Sequence, residues 1–144
     1  MTNNSYFIDS NFIIGLINKK DQLHENCINL SNEIVDKNLI LSELVLNEVT
    51  TIIGNKIDID TAIDTFFMLH SDNFTIVNEF DIRNLDYKII LNYEKYNEGA
   101  VKSKRLSYTD CAIITVMKEL GITNLVSYDV QFERVEDINL FNNL

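Results

Sequence analysis

Short, almost uninterrupted apolar runs separated by longer amphipathic segments constrain this chain most. Tyr6-Phe7-Ile8, Leu39-Ile40-Leu41, Phe74-Thr75-Ile76-Val77 and Leu125-Val126-Ser127 are each only three or four residues long. They are nearly continuous in hydrophobicity rather than alternating, as strands are when both their faces are covered. Between them, apolar residues recur at helical spacing over residues 11–18, 21–35, 43–54, 60–70, 81–96 and 107–120. Gly54-Asn55 is expected to close the third of these helices and Gly121 the last. Ile138-Asn139-Leu140-Phe141 reads as a final strand. The alternation predicts an α/β fold, a mainly parallel sheet of four or five strands with helices on both faces. Sites in such sheets form beyond the carboxyl ends of the strands.

Composition narrows the class. The chain has 144 residues, no proline, four glycines and no repeat or linker. One domain over residues 1–144 is therefore expected. The N-terminal residues carry no basic segment ahead of their apolar ones, unlike a signal peptide. No apolar stretch approaches a membrane span. Two cysteines, Cys27 and Cys111, make no disulfide framework, so a cytoplasmic location is expected. The net charge is −10, with 22 acidic against 12 basic residues. Such a balance excludes proteins that hold nucleic acid by bulk positive charge. It leaves room for an enzyme whose negative charge is gathered around a metal.

Four carboxylates stand where that chemistry needs them. Asp9 and Asp129 follow the first strand and the Leu125 strand, and each suits a helix cap or a site ligand equally. Glu48 falls inside a predicted helix, on or beside its apolar stripe, with no Lys or Arg one turn away. A carboxylate so placed is normally paired, protonated or metal-bound. Glu43, in the first turn of that helix, reads as structural. Asp110 completes Ser107-x-x-Asp110, which resembles a capping box, yet Ile113 and Ile114 one turn on put it at the start of a buried face. Together the four suggest a Mg²⁺-type site, since hard cations take oxygen ligands. His24 and His70 are isolated, and no His/Cys cluster exists for zinc. The richest basic segment is Lys102-Ser103-Lys104-Arg105, in a polar loop over residues 97–106. Lys19-Lys20 reads as a solvated pair.

In order along the chain, Phe7-Ile8-Asp9-Ser10-Asn11, Ser42-Glu43-Leu44-Val45-Leu46-Asn47-Glu48, Leu106-Ser107-Tyr108-Thr109-Asp110 and Leu125-Val126-Ser127-Tyr128-Asp129 resemble the acidic motifs of PIN-domain ribonucleases, of the kind found as VapC-type toxins. The resemblance covers nearly the whole chain. It implies a PIN-like three-layer α/β/α sandwich and metal-dependent hydrolysis of RNA phosphodiester bonds. It implies that Asp9, Glu48, Asp110 and Asp129 hold one or two Mg²⁺ or Mn²⁺ ions. Ser10, Asn11, Thr109 and Ser127 match positions that orient carboxylates or water. Lys102, Lys104 and Arg105 become candidates for substrate phosphates. An antitoxin partner with a basic side chain for the acidic site, and a homodimer, are further expectations.

Two other phosphoryl-transfer folds fit less well. A receiver domain needs an acidic pair at the first strand end and a late Lys, whereas Ile8 precedes Asp9 and Val126-Ser127-Tyr128 has no Lys. A haloacid-dehalogenase-type phosphatase needs a second Asp where Asn11 stands. The remaining alternative is a PIN-like RNA- or protein-binding module without catalysis, against which all four acidic positions speak.

Overall fold

The computed structural model describes residues 4–144. Strands β1 (Ser5–Ile8), β2 (Asn38–Ser42), β3 (Phe74–Val77), β4 (Asn124–Val126) and β5 (Asn139–Phe141) form a sheet in the order β3-β2-β1-β4-β5. All four pairings are parallel. The helices are α1 (Ser10–Ile17), α2 (His24–Ile34), α3 (Glu43–Lys56), α4 (Ile59–Leu69), α5 (Leu85–Asn97) and α6 (Tyr108–Leu120). The expected α/β architecture is present, with five strands.

The chain steps outward from β1 to β3, then returns to the other side of β1 for β4 and β5. Right-handed crossovers therefore place α1 to α4 on one face and α5 and α6 on the other. The packing agrees: α1 touches α2 and α3, α3 touches α4, and α5 touches α6. The reversal makes the crevice above β1 and β4 the topological switch point. Phe7, Ile8, Leu125 and Val126 of these central strands are wholly buried. The edge strands β3 and β5 are half-buried or exposed along their length. In α6, burial is unbroken from Cys111 to Met117, which fits a helix apolar on all sides. Among the described residues, no helix is long and apolar enough to cross a membrane. Cys27 and Cys111 are free, buried thiols.

Several boundaries differ from the sequence reading; α2, expected from residue 21, begins at His24. Gly54 does not close α3, which continues to Lys56 and is capped by Ile57. The glycine serves close approach instead, because a Cβ there would lie 3.3 Å from Ile59 Cδ1 and 3.7 Å from Ala62 Cβ of α4. The helix expected from residue 81 begins at Leu85. A 3-10 turn over Glu79–Asp81 precedes it, and Asn84 caps it in the left-handed region at φ 56°.

Gly15 sets the spacing of α1 and α2, since a Cβ there would come within 2.6 Å of Cys27 Sγ. Gly15→Ala should lower stability by about 1–3 kcal/mol in urea unfolding. Adding Cys27→Ala should recover part of that loss; no recovery would show that the crowding lies elsewhere.

Candidate functional site

The β1–β4 register aligns Ile8 with Val126, and the Asp9 N–H donates to Val126 O at 3.0 Å. The next residues, Asp9 and Ser127, therefore leave the sheet side by side. Ser127 is wholly buried, and its hydroxyl donates to Asp9 Oδ2 at 2.7 Å. Ser127 Oγ accepts from the Asp129 N–H at 3.1 Å and from Asn11 Nδ2 at 3.2 Å. Asn11 Nδ2 also lies 3.4 Å from Asp9 Oδ2, while its Oδ1 accepts the Tyr128 N–H at 3.0 Å. Asn11 and Ser127 thus tie together the two loops that diverge at the switch point.

Three of the four singled-out carboxylates cap local structure and face one cavity as well. Asp9 Oδ1 accepts the Ser10 N–H at 2.8 Å as the N-cap of α1. Asp110 Oδ2 accepts the Ser107 N–H at 3.1 Å, and Ser107 Oγ accepts the Asp110 N–H at 3.0 Å, a complete capping box. Asp129 Oδ1 accepts the Gln131 N–H at 2.9 Å, opening a 3-10 turn over Val130–Arg134. Glu48 projects from the middle of α3 and is half-buried. All four line a cavity of about 380 Å³ together with Ser10, Asn11, Ser107 and Thr109. Ile14 and Ile52 supply its apolar wall. Ser127, buried and off that lining, acts through its bond to Asp9. Cap and site are therefore one role here, because each capping carboxylate has two oxygens.

The carboxylates share one electrostatic field. Burial pushes Asp9 up to about 6; the Ser127 and Ser10 hydrogen bonds oppose that, and the charges of Asp110 and Glu48 add to it. Burial also raises Asp110, helped by Asp129 and Glu48 and opposed by its bonds to Ser107. Such a donor set suits a hard cation, which would relieve the repulsion. Among the described residues, no group of three or more His, Cys, Asp or Glu side chains is arranged to hold a metal ion. Mg²⁺, a hard cation, usually keeps several waters among its ligands.

Several contributors left no mark in the sequence. Glu79, only 1% exposed, accepts the Glu43 and Leu44 N–H groups at 3.0 and 3.3 Å. It satisfies the first turn of α3 and so anchors the helix that carries Glu48. Asn97 grips Leu106 on both sides, donating to its carbonyl at 2.9 Å and accepting its N–H at 2.8 Å. That clasp fixes the exit of the basic loop, whose Lys102–Lys104 form a 3-10 turn. Lys102, Lys104 and Arg105 are exposed and lie off the cavity lining.

Because the folded-state value of Asp9 lies above its ordinary 3.8, the folded protein binds that proton more tightly than the unfolded chain. Its contribution is most favourable below about pH 4, is lost as pH rises to about 6, and is flat above. The cost reaches about 3 kcal/mol at neutral pH. In metal-free urea titrations, Asp9→Asn should remove that portion of the pH dependence. A variant with the wild-type pH profile would contradict it.

A family model described as "PIN domain" matches residues 6–138. Among solved structures, the chain is similar to VapC20 of Mycobacterium tuberculosis, described as a sarcin-ricin loop cleaving toxin. Identity is 18% and the TM-score 0.74, over 96% of this chain and 98% of that one. It is also similar to VapBC2 of Rickettsia felis bound to a DNA fragment from their promoter, at 14% identity and TM-score 0.70, over 96% and 98%. A toxin–antitoxin complex from Klebsiella pneumoniae follows at 14% and 0.69, over 93% and 95%. No curated protein matches the chain by sequence. With a family model spanning the chain from β1 to the threshold of β5, and a parallel five-stranded sheet to match, the chain belongs to the PIN-domain family.

Proposed function

We propose that the chain is a divalent-metal-dependent ribonuclease and the toxin of a toxin–antitoxin pair. The observation that carries this reading is the meeting of Asp9, Glu48, Asp110 and Asp129, from four separate segments, around one cavity at the switch point. Asp9, Glu48, Asp110 and Asp129 would hold one or two Mg²⁺ or Mn²⁺ ions. When bound, such a cation acidifies water and offsets charge developing on a phosphodiester. The chain's own groups do the positioning. Ser127 and Asn11 hold Asp9 in one orientation, and Ser10 and Thr109 bring polar groups to the cavity. Lys102, Lys104 and Arg105, exposed on the loop before α6, meet RNA phosphates. Ile14 and Ile52 keep one wall dry.

The toxin assignment draws on the neighbouring toxin–antitoxin complex. In this reading the antitoxin inserts a basic side chain, best an Arg, among the carboxylates. The active protein is a homodimer.

Digestion of a mixed RNA pool with Mg²⁺ or Mn²⁺, followed by sequencing of the RNA ends, tests the activity. Wild type should cleave, Asp9→Asn should not, and Ser127→Ala should lose roughly 10–100-fold. Mg²⁺ should also raise the Tm of wild type more than that of Asp9→Asn. No cleavage by wild type with either ion would replace the enzyme by a PIN-like binding module. Reversing the charge of Lys102, Lys104 and Arg105 should weaken RNA binding and reduce its salt slope by about 2. An unchanged slope would remove the loop from the substrate path.

A further inference from the structure

Lys19-Lys20 reads from sequence as a solvated pair, but the fold adds a third lysine. Lys56, from the last turn of α3, lines the same cavity of about 440 Å³ as Lys19 and Lys20. Ile17, Asn18 and Ile57 belong to its wall, and no carboxylate lines it. Among the described residues, none of the three lysines forms an ion pair. In a chain with 22 acidic and 12 basic residues, this hollow carries three cations and no carboxylate in its lining, while Asp21, Asp58 and Asp60 flank those residues in the sequence.

Its position relates it to the carboxylate cavity. Ile14 of α1 and Ile52 of α3 line that cavity. One turn further along the same two helices, Ile17 and Lys56 line the lysine cavity. At 1.5 Å per residue the step is about 4.5 Å along α1 and about 6 Å along α3. Because α1 and α3 pack on each other, successive turns of one helix pair lead from carboxylates to lysines.

We propose that Lys19, Lys20 and Lys56 form a phosphate-binding subsite that holds a single RNA strand as it leaves the carboxylate cavity along α1 and α3. The inference rests on the ribonuclease reading, which makes RNA the occupant of the first cavity. Lysine ammonium groups are compact point charges on flexible stems, suited to backbone phosphates of any sequence. A protein of net charge −10 repels RNA at long range, so attraction has to be local. The exposed basic loop at residues 102–105 and this hollow supply it on different elements.

Binding of a fluorescent 12-nucleotide single-stranded RNA, measured without divalent ions across a salt series, tests the subsite apart from cleavage. Lys19→Gln/Lys20→Gln/Lys56→Gln should raise Kd roughly tenfold and reduce the salt slope by about 2. The matching triple Arg variant should restore both. Lys37→Gln/Lys88→Gln, which removes positive charge elsewhere, should leave the slope unchanged. Failure of wild type to bind, or a wild-type slope in the triple Gln variant, overturns the subsite. Displacement of the RNA by an acidic peptide of equal charge as readily as by unlabelled RNA overturns its assignment to RNA. If the lysine-dependent slope is present but wild type never cleaves with Mg²⁺ or Mn²⁺, the subsite stands and the ribonuclease reading falls.

Discussion

The parallel pairing of β1 with β4 brings together residues more than a hundred positions apart, such as Ile8 and Val126. Everything at the candidate site takes its place from that register. It sets Asp9 against Ser127, and Ser127 in turn engages Asn11 and the backbone of Asp129. A slip of one residue would turn every side chain of a strand to the opposite face of the sheet. The wholly buried Phe7, Ile8, Leu125 and Val126 make such a slip costly. Core packing and site geometry are thus the same constraint seen from two directions.

The carboxylates show how one residue type serves folding and chemistry at once. Asp9, Asp110 and Asp129 each spend one oxygen on a backbone N–H. These bonds hold the side chains in fixed orientations. They do not outweigh desolvation, for Asp9 is still raised to about 6 despite bonds to Ser10 and Ser127. The balance leaves a site rigidly held yet electrostatically unsatisfied. Local energetic cost of this kind concentrates where a fold prepares a binding site.

Much of this arrangement was legible in the residues themselves. Continuous apolar runs identified the strands, and Asp9 and Asp129 could be placed at their ends because strand position alone determines that. Glu48 stood out as a charge against an apolar stripe. The contributions that sequence did not disclose depend on partners distant in the chain. Glu79 matters because it reaches the first turn of α3, 36 residues away. Gly54 looked like a helix terminator, but α4 folds back onto it and makes it a contact point. Lys56 gains its meaning only beside Lys19 and Lys20. Asp110 and Asp129 left cap and ligand open because local spacing cannot say where the second oxygen points.

The dispersal of the four carboxylates has a consequence for biosynthesis. A ribosome delivers Asp9 more than a hundred residues before Asp129, and β4 must reach β1 before the acidic cavity closes. That contact meets its loop-closure entropy late, after the long stretch between β1 and β4 has been made. An unfinished chain therefore carries no assembled acidic centre. Under the proposed ribonuclease reading, a cell would be shielded from every copy on which β4 has not yet docked against β1.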